Sequence, residues 1–344
     1  MSATSTQAAS GCGGLIQGIR KSDWADFASL LLSAVAAAFA PLQVFLFAYI
    51  FLGPIHYLTE MAWLRKKEFY FREGLVSARI YMVLAVATAA MVLLQFVTHR
   101  DFSFWIIAPL LLVSLSVWLR NRFALLAVAM VGLALAILVR PWVYFIAMIV
   151  PTLVHVYFFM GIFMISGAFR KTTAGFAKWV NPALLVVLPL LLLSLNMHYA
   201  QPGEFWLHSE AVSFGNMHRH LIHDLHHTMQ VNDTLLGDRF MAALLRVFAF
   251  AYLFHYLNWF AKTELLQWHK ISGRTWATVA TLYVAAIGVY LWNVRIGYIV
   301  VNFLGMMHVL LEFPLNWHTM KFVAGRLRGT NAKKPAEVRV AAIS

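Results

Sequence analysis

Residues 27–64 read FASLLLSAVAAAFAPLQVFLFAYIFLGPIHYLTEMAWL, 38 residues in which Glu60 is the only charged side chain. An α-helix crosses the hydrocarbon core of a bilayer in about 20 apolar residues. The stretch is therefore too long for one straight crossing and too short for two. Pro41 and the pair Gly53-Pro54 lie inside it. Proline removes a backbone donor and clashes with the preceding turn, which predicts a kinked or broken first helix whose freed backbone groups find partners inside the protein.

The rest of the chain continues the pattern. Of its 344 residues 61% are apolar and 12% charged, and the mean hydropathy is +0.72. Soluble domains run about half apolar and about a quarter charged, so the composition excludes an ordinary soluble enzyme. Charged residues cut the chain into apolar stretches near 27–52, 80–98, 103–119, 123–139, 142–168, 180–197, 240–261, 276–293 and 296–317. The fold expected is an all-α, polytopic transmembrane helical bundle of about nine spans. Arg120 and Arg122 mark a very tight connection between two of them, an antiparallel hairpin. Residues 23–321 form a single membrane domain interrupted by one long His-rich extramembrane segment, 198–239. Residues 1–22 read as a disordered tail without the apolar region of a signal peptide, and 322–344 as a basic, polar tail. Cys12 is the single cysteine, which excludes an intrachain disulfide and a CxxC zinc site.

Lys and Arg number 27 against 14 Asp and Glu. No pattern points to nucleic acid, and in a membrane protein such an excess gathers on cytoplasmic loops. Nine spans put seven basic residues on one side, nineteen on the other, and Arg246 inside a span. The arrangement places the N-terminus outside and the C-terminus in the cytoplasm of a bacterial inner membrane.

Chemistry concentrates in a short internal echo. Gly53-Pro-Ile-His56-Tyr-Leu-Thr-Glu60 near the end of the first stretch and Gly305-Met-Met-His308-Val-Leu-Leu-Glu312 in the last share the pattern G-x-x-H-x-x-x-E. Positions i and i+4 share a helix face, so each segment presents an imidazole beside a carboxylate. Ionisable groups in a membrane are costly unless they face the bundle interior and are paired or coordinated. His155 and His255 lie in two further spans. The four histidines precede the charge that closes each helix (Arg65, Arg170, Lys262, Lys321) by 9, 15, 7 and 13 residues, about 10–22 Å at about 1.5 Å per residue. Four imidazoles at comparable depth point to a metal site for iron, copper or zinc. Glu60 and Glu312 are the candidate catalytic carboxylates there, as ligands or as groups that orient ligands or move protons. The competing assignment is interhelical hydrogen bonding, the commoner role of a lone intramembrane histidine. Asn258, three residues after His255, is placed to bond a ligand or substrate oxygen, or to act as a helix-packing amide.

These segments resemble the Brp/Blh family of bacterial membrane β-carotene 15,15′-dioxygenases, polytopic helical proteins that hold one iron on histidines and cleave a carotenoid with O₂. The resemblance covers four short segments. It implies that His56, His155, His255 and His308 are ligands of non-haem iron, that O₂ is the co-substrate, and that Glu60 stands where the family has an acid. The chain departs from the family at Ile55 and Met307, where a proline precedes the first and last histidines, and at Trp259, where a second middle histidine is usual. The substrate expected is a hydrophobic isoprenoid, carotenoid or acyl lipid drawn from the bilayer.

The extramembrane segment offers a rival. His223-Asp-Leu-His226-His227 has the H-x-x-H-H form of a box in membrane fatty acid hydroxylases and desaturases, and His220, His223 and His227 share a helical face able to bind metal. The plainer alternative is an interfacial amphipathic helix. Trp and Tyr near span ends, Trp63 among them, read as interfacial belts. The function expected is a membrane iron oxygenase. Its rivals are a proton- or ion-coupled transporter with an intramembrane His/Glu site, a hydroxylase-like di-iron enzyme, and a haem protein using two histidines as axial ligands.

Overall fold

The computed structural model describes residues 24–67, 154–170, 179–195, 202–213, 235–262 and 271–329, with residue 200 and isolated positions in 83–98 and 123–134. Among the described residues all regular structure is helical. We label the helices α1 (Trp24–Phe39); α2 (Pro41–Phe47, Ala48–Leu52 and Gly53–Lys67, wound continuously); α3 (Val154–Phe159 and Met160–Arg170); α4 (Val180–Ser194); α5 (Glu204–Ser213); α6 (Leu235–Ala261); α7 (Gly273–Trp292); and α8 (Val294–Leu327). Three stretches, Pro41–Arg65 in α2, Gly273–Trp292 and Val294–Phe313 in α8, are long and apolar enough to cross a membrane. The expected spans 103–119 and most of 80–98 and 123–139, the hairpin at Arg120, and the tail 1–22 lie outside the described residues.

The first stretch is a hairpin. Ala40 alone separates α1 from α2, at φ −139° and ψ 58°. A residue before proline is driven out of the α region, whereas Pro41 is preorganised for the first position of a new helix. Ala40 N–H still bonds Ala36 O and its carbonyl receives Val44 N–H, so one residue closes one helix and opens the next. α1 then runs antiparallel to α6, with Ala38 near Arg246 and Asp26 near Asn258. α2 runs parallel to α6, matching Phe45 with Phe248 and Thr59 with Trp259.

This corrects two expectations. The single span 27–52 does not exist, because the chain reverses at Ala40. The start of α1 and the ends of α2, α6 and α8 lie at one end of the bundle, so the N-terminal end of the described chain is not opposite the C-terminal one. The second proline pair does not break α2. The Ala48–Leu52 turn is π-helical, and Gly53 N–H reaches back five residues to Ala48 O. This widened turn immediately precedes Pro54, the position at which the backbone lacks a donor.

A second hairpin closes the chain. Asn293, at φ −149° and ψ 107°, separates α7 from α8, and its side chain accepts from Ile296 N–H at 3.0 Å. Such tight reversal needs Gly297, since a Cβ there would lie 2.2 Å from Tyr290 Cα. The echo in sequence is thus an echo in structure: each hairpin has a one-residue turn, then a helix bearing G-x-x-H-x-x-x-E. The turn-to-histidine spacing is 16 residues in the first and 15 in the second, and the π-turn of α2 accounts for the extra one.

α8 continues to Leu327, past the expected start of the basic tail, because Phe322 and Val323 are buried at 2% and 5% exposure. Lipid gives apolar side chains no reason to leave it, so packing holds such helices together, favoured by small residues. Ala34, Ala37 and Ala38 on α1, Ala48 on α2, and Ala249 and Ala251 on α6 are buried at such contacts. Buried Arg246 neither snorkels nor faces the histidines. Its guanidinium donates to Ala38 O and Leu195 O, carbonyls at the ends of α1 and α4 that need partners.

Candidate metal centre

Four parallel helices each deliver one of the expected histidines: His56 from α2, His155 from α3, His255 from α6 and His308 from α8. α3 aligns with α8 through His155 and His308 and through Phe159 and Phe313. His155 sits within the π-helical turn Val154–Phe159, and His56 lies shortly after the one in α2. π-turns recur at functional sites, and no spacing rule in the sequence announces them.

The rings converge. His56 Nε2 lies 2.9 Å from His255 Nε2, and His155 Nε2 lies 3.1 Å from His308 Nε2. Ring centroids of His56 and His308 are 5.2 Å apart, and those of His155 and His255 are 5.5 Å apart. One ligand nitrogen from each of His56, His255 and His308 falls within 4.8 Å of the other two. All four residues are at most 8% exposed.

The protons can be traced. His308 Nδ1 lies 2.6 Å from Gly305 O; a carbonyl only accepts, so Nδ1 carries the proton and Nε2 keeps its lone pair. His155 Nδ1 lies 3.0 Å from Glu312 Oε2. The facing Nε2 atoms of His155 and His308 are 3.1 Å apart; with the proton of His308 on Nδ1, either a proton on His155 Nε2 or a shared cation would join them. A single divalent cation would serve His56, His255 and His308, whose ligand nitrogens all lie within 4.8 Å of one another, and His155 Nε2 adjoins that group at His308. Two nitrogens each about 2.0–2.2 Å from an ion stand about 3 Å apart at a right angle, which matches both contacts. Several imidazoles with a nearby carboxylate suit iron, zinc or copper.

The two glutamates occupy different places. Glu60 Oε2 is 3.1 Å from His56 Nε2, the nitrogen that faces the other rings. Glu312 does not pair with the histidine four residues before it. It reaches the outer nitrogen of His155 on another helix, the position of a carboxylate that fixes a ligand's orientation. That contact is close without being aligned as a hydrogen bond, and Nδ1 of His56, His155 and His255 lacks a hydrogen-bond partner among the described residues.

Tyrosines close one side. A cavity of about 70 Å³ is lined by His155, His255 and His308 together with Tyr49, Tyr57, Tyr252 and Tyr256. His56 and Glu60 are not part of its lining. Tyr57 stacks on His308 with centroids 4.3 Å apart and shares a 2.7 Å hydroxyl contact with Tyr256. Sequence reasoning missed these residues. The available signal was adjacency, since Tyr57 follows His56 and Tyr256 follows His255.

Asn258 does not join the centre. Its amide donates to Asp26 Oδ1 at 2.7 Å and its carbonyl accepts from Lys262 at 2.5 Å, clasping α1 to α6. Trp259, at the family's second middle histidine, places its ring 5.3 Å from that of His56 and donates to Thr59. Trp63 faces Trp259 instead of serving only as a belt residue. His220, His223, His226 and His227 lie outside the described residues. Within the segment 198–239, α5 packs on α2 and α8, with Ser209 fully buried. No family model, curated protein or solved structure matches the chain.

Proposed function

We propose that the protein is a membrane-embedded oxygenase that holds non-haem iron on His56, His155, His255 and His308 and acts with O₂ on an isoprenoid, carotenoid or acyl lipid. The observation that carries this reading is the convergence of four buried imidazoles, one from each of four parallel helices. Iron, when bound, supplies the electron chemistry that dioxygen requires. Glu312 holds the orientation of His155, and Gly305 O holds that of His308. Tyr49, Tyr57, Tyr252 and Tyr256 give the cavity aromatic walls. Asn302, Met306 and Val309 of α8 line the cavity and are only half-buried, the side from which a lipid-soluble substrate reaches the centre. The likeness to Brp/Blh dioxygenases supports the same chemistry through four short segments.

The bundle is read as a polytopic membrane domain of about nine spans, with its basic end in the cytoplasm. Placing residues 20 and 21 at that end, beside the start of α1, raises its Lys and Arg from nineteen to twenty-one and leaves five opposite. A proton-coupled carrier is the second reading. It is favoured by a buried polar row on α8, Glu312, Asn316 and Thr319.

Metal analysis of the purified protein with an absorption spectrum tests the proposal. Expected are iron without a haem spectrum, its loss in His56→Ala and His308→Ala, and its retention in His223→Ala and His227→Ala. Metal-free wild-type protein favours the carrier, a haem spectrum the haem protein, and iron lost only in the last two variants the H-x-x-H-H box.

A further inference from the structure

The tyrosine pair has a donor to spare. Two hydroxyls carry two protons, and the Tyr57–Tyr256 contact at 2.7 Å uses one of them. The other finds no acceptor among the described residues, although Tyr57 and Tyr256 are only 3% and 1% exposed. A buried hydroxyl proton without an acceptor is costly, and both residues line the cavity that also touches His155, His255 and His308. The cavity has a volume of about 70 Å³, several times the roughly 10–15 Å³ that a single water needs, so a small ligand fits beside the rings.

We infer that this cavity is the compartment for a small ligand that accepts a hydrogen bond beside the centre, and that the Tyr57–Tyr256 pair is its donor. The inference rests on the proposed metal site and deepens it: the ligand is dioxygen in the oxygenase reaction, and a small anion such as azide takes its place in the test. Stacking of Tyr57 on His308 ties the donor to the centre. Close approach of Tyr57 to Gly53 and Gly305 leaves its ring little room to turn away, since a Cβ on either glycine would lie 3.0 Å and 3.5 Å from it.

The test titrates azide into full-length, iron-loaded protein in detergent, oxidised to the ferric state, and reads the charge-transfer absorption. The variants are Tyr57→Phe, Tyr256→Phe and the double variant, with iron content and helicity measured for each. The double variant keeps its iron and binds azide about tenfold more weakly, the change that one hydrogen bond of ordinary strength makes in an equilibrium constant. The single variant that lowers affinity identifies the donating hydroxyl. Unchanged azide affinity in an iron-replete double variant overturns the inference and leaves the metal site standing. Loss of iron from a helical double variant also overturns it, because the hydroxyls then support the ligands and not the cavity. Wild-type protein that binds no iron overturns both readings.

Discussion

Replacing Gly297 with alanine puts the hairpin that carries His308 to a direct test. The new Cβ would sit 2.2 Å from Tyr290 Cα, 2.6 Å from its Cβ and 2.8 Å from Cδ2. Carbon atoms in contact prefer about 3.5–4.0 Å, so the helices must part by about 1.5 Å. Tyr290 is fully buried, and two of its three obstructing atoms are backbone or Cβ, which no rotamer change removes. Asn293 is the whole turn, so separation also strains Asn293 N–H to Val289 O and Gly297 N–H to Asn293 O. Overpacking costs about 1–3 kcal/mol, and each lost bond adds about 1 kcal/mol; the expected total is about 3–5 kcal/mol. Gly288 lies in the same hairpin, and a Cβ added there would meet nothing within 4 Å, so Gly288→Ala gains about 0.5–1 kcal/mol from helix propensity. Far-ultraviolet circular dichroism during unfolding in detergent compares the two. Equal stability, or a Gly297→Ala protein within about 1 kcal/mol of the parent, would refute the close-approach argument.

Asn258→Ala breaks the clasp to Asp26 and lowers stability by about 1–3 kcal/mol while bound iron stays at the parental level; loss of iron with parental stability would return Asn258 to the centre. Reporter fusions ahead of Met1 and after Ser344 are expected in the same compartment, because α1 and α2 form a hairpin, and opposite compartments would contradict that hairpin.

The helical class and the six ionisable residues of the centre were legible because charge is rare in this chain and expensive in a bilayer. Two G-x-x-H-x-x-x-E segments therefore stood out. Glu312's partner was not legible. The i, i+4 rule names neighbours on one helix, whereas interhelical packing brings Glu312 to His155. The hairpin at Ala40 was hidden by length, because 38 apolar residues are few for two crossings. Asp26 lies outside that window and meets Asn258 on α6. Tyr57 and Tyr256 were obscured by residue type, since tyrosine in membrane proteins so often marks the interface.

The wide turn at Ala48–Leu52 separates two quantities that an ordinary helix keeps locked together, the length of chain and its rotational phase. Each residue of an α-helix advances the chain by about 100°, so a deletion between Asn293 and His308 swings the imidazole off its face. Between Ala40 and His56 the chain carries one residue more than α8 does over the matching distance. Removing it there can unwind the wide turn into a plain one, with the turn at Ala40 and the ring of His56 both left where they are. Of the two helices built on the same plan, α2 alone therefore holds slack that can be spent or taken up beside the centre without redirecting its ligand.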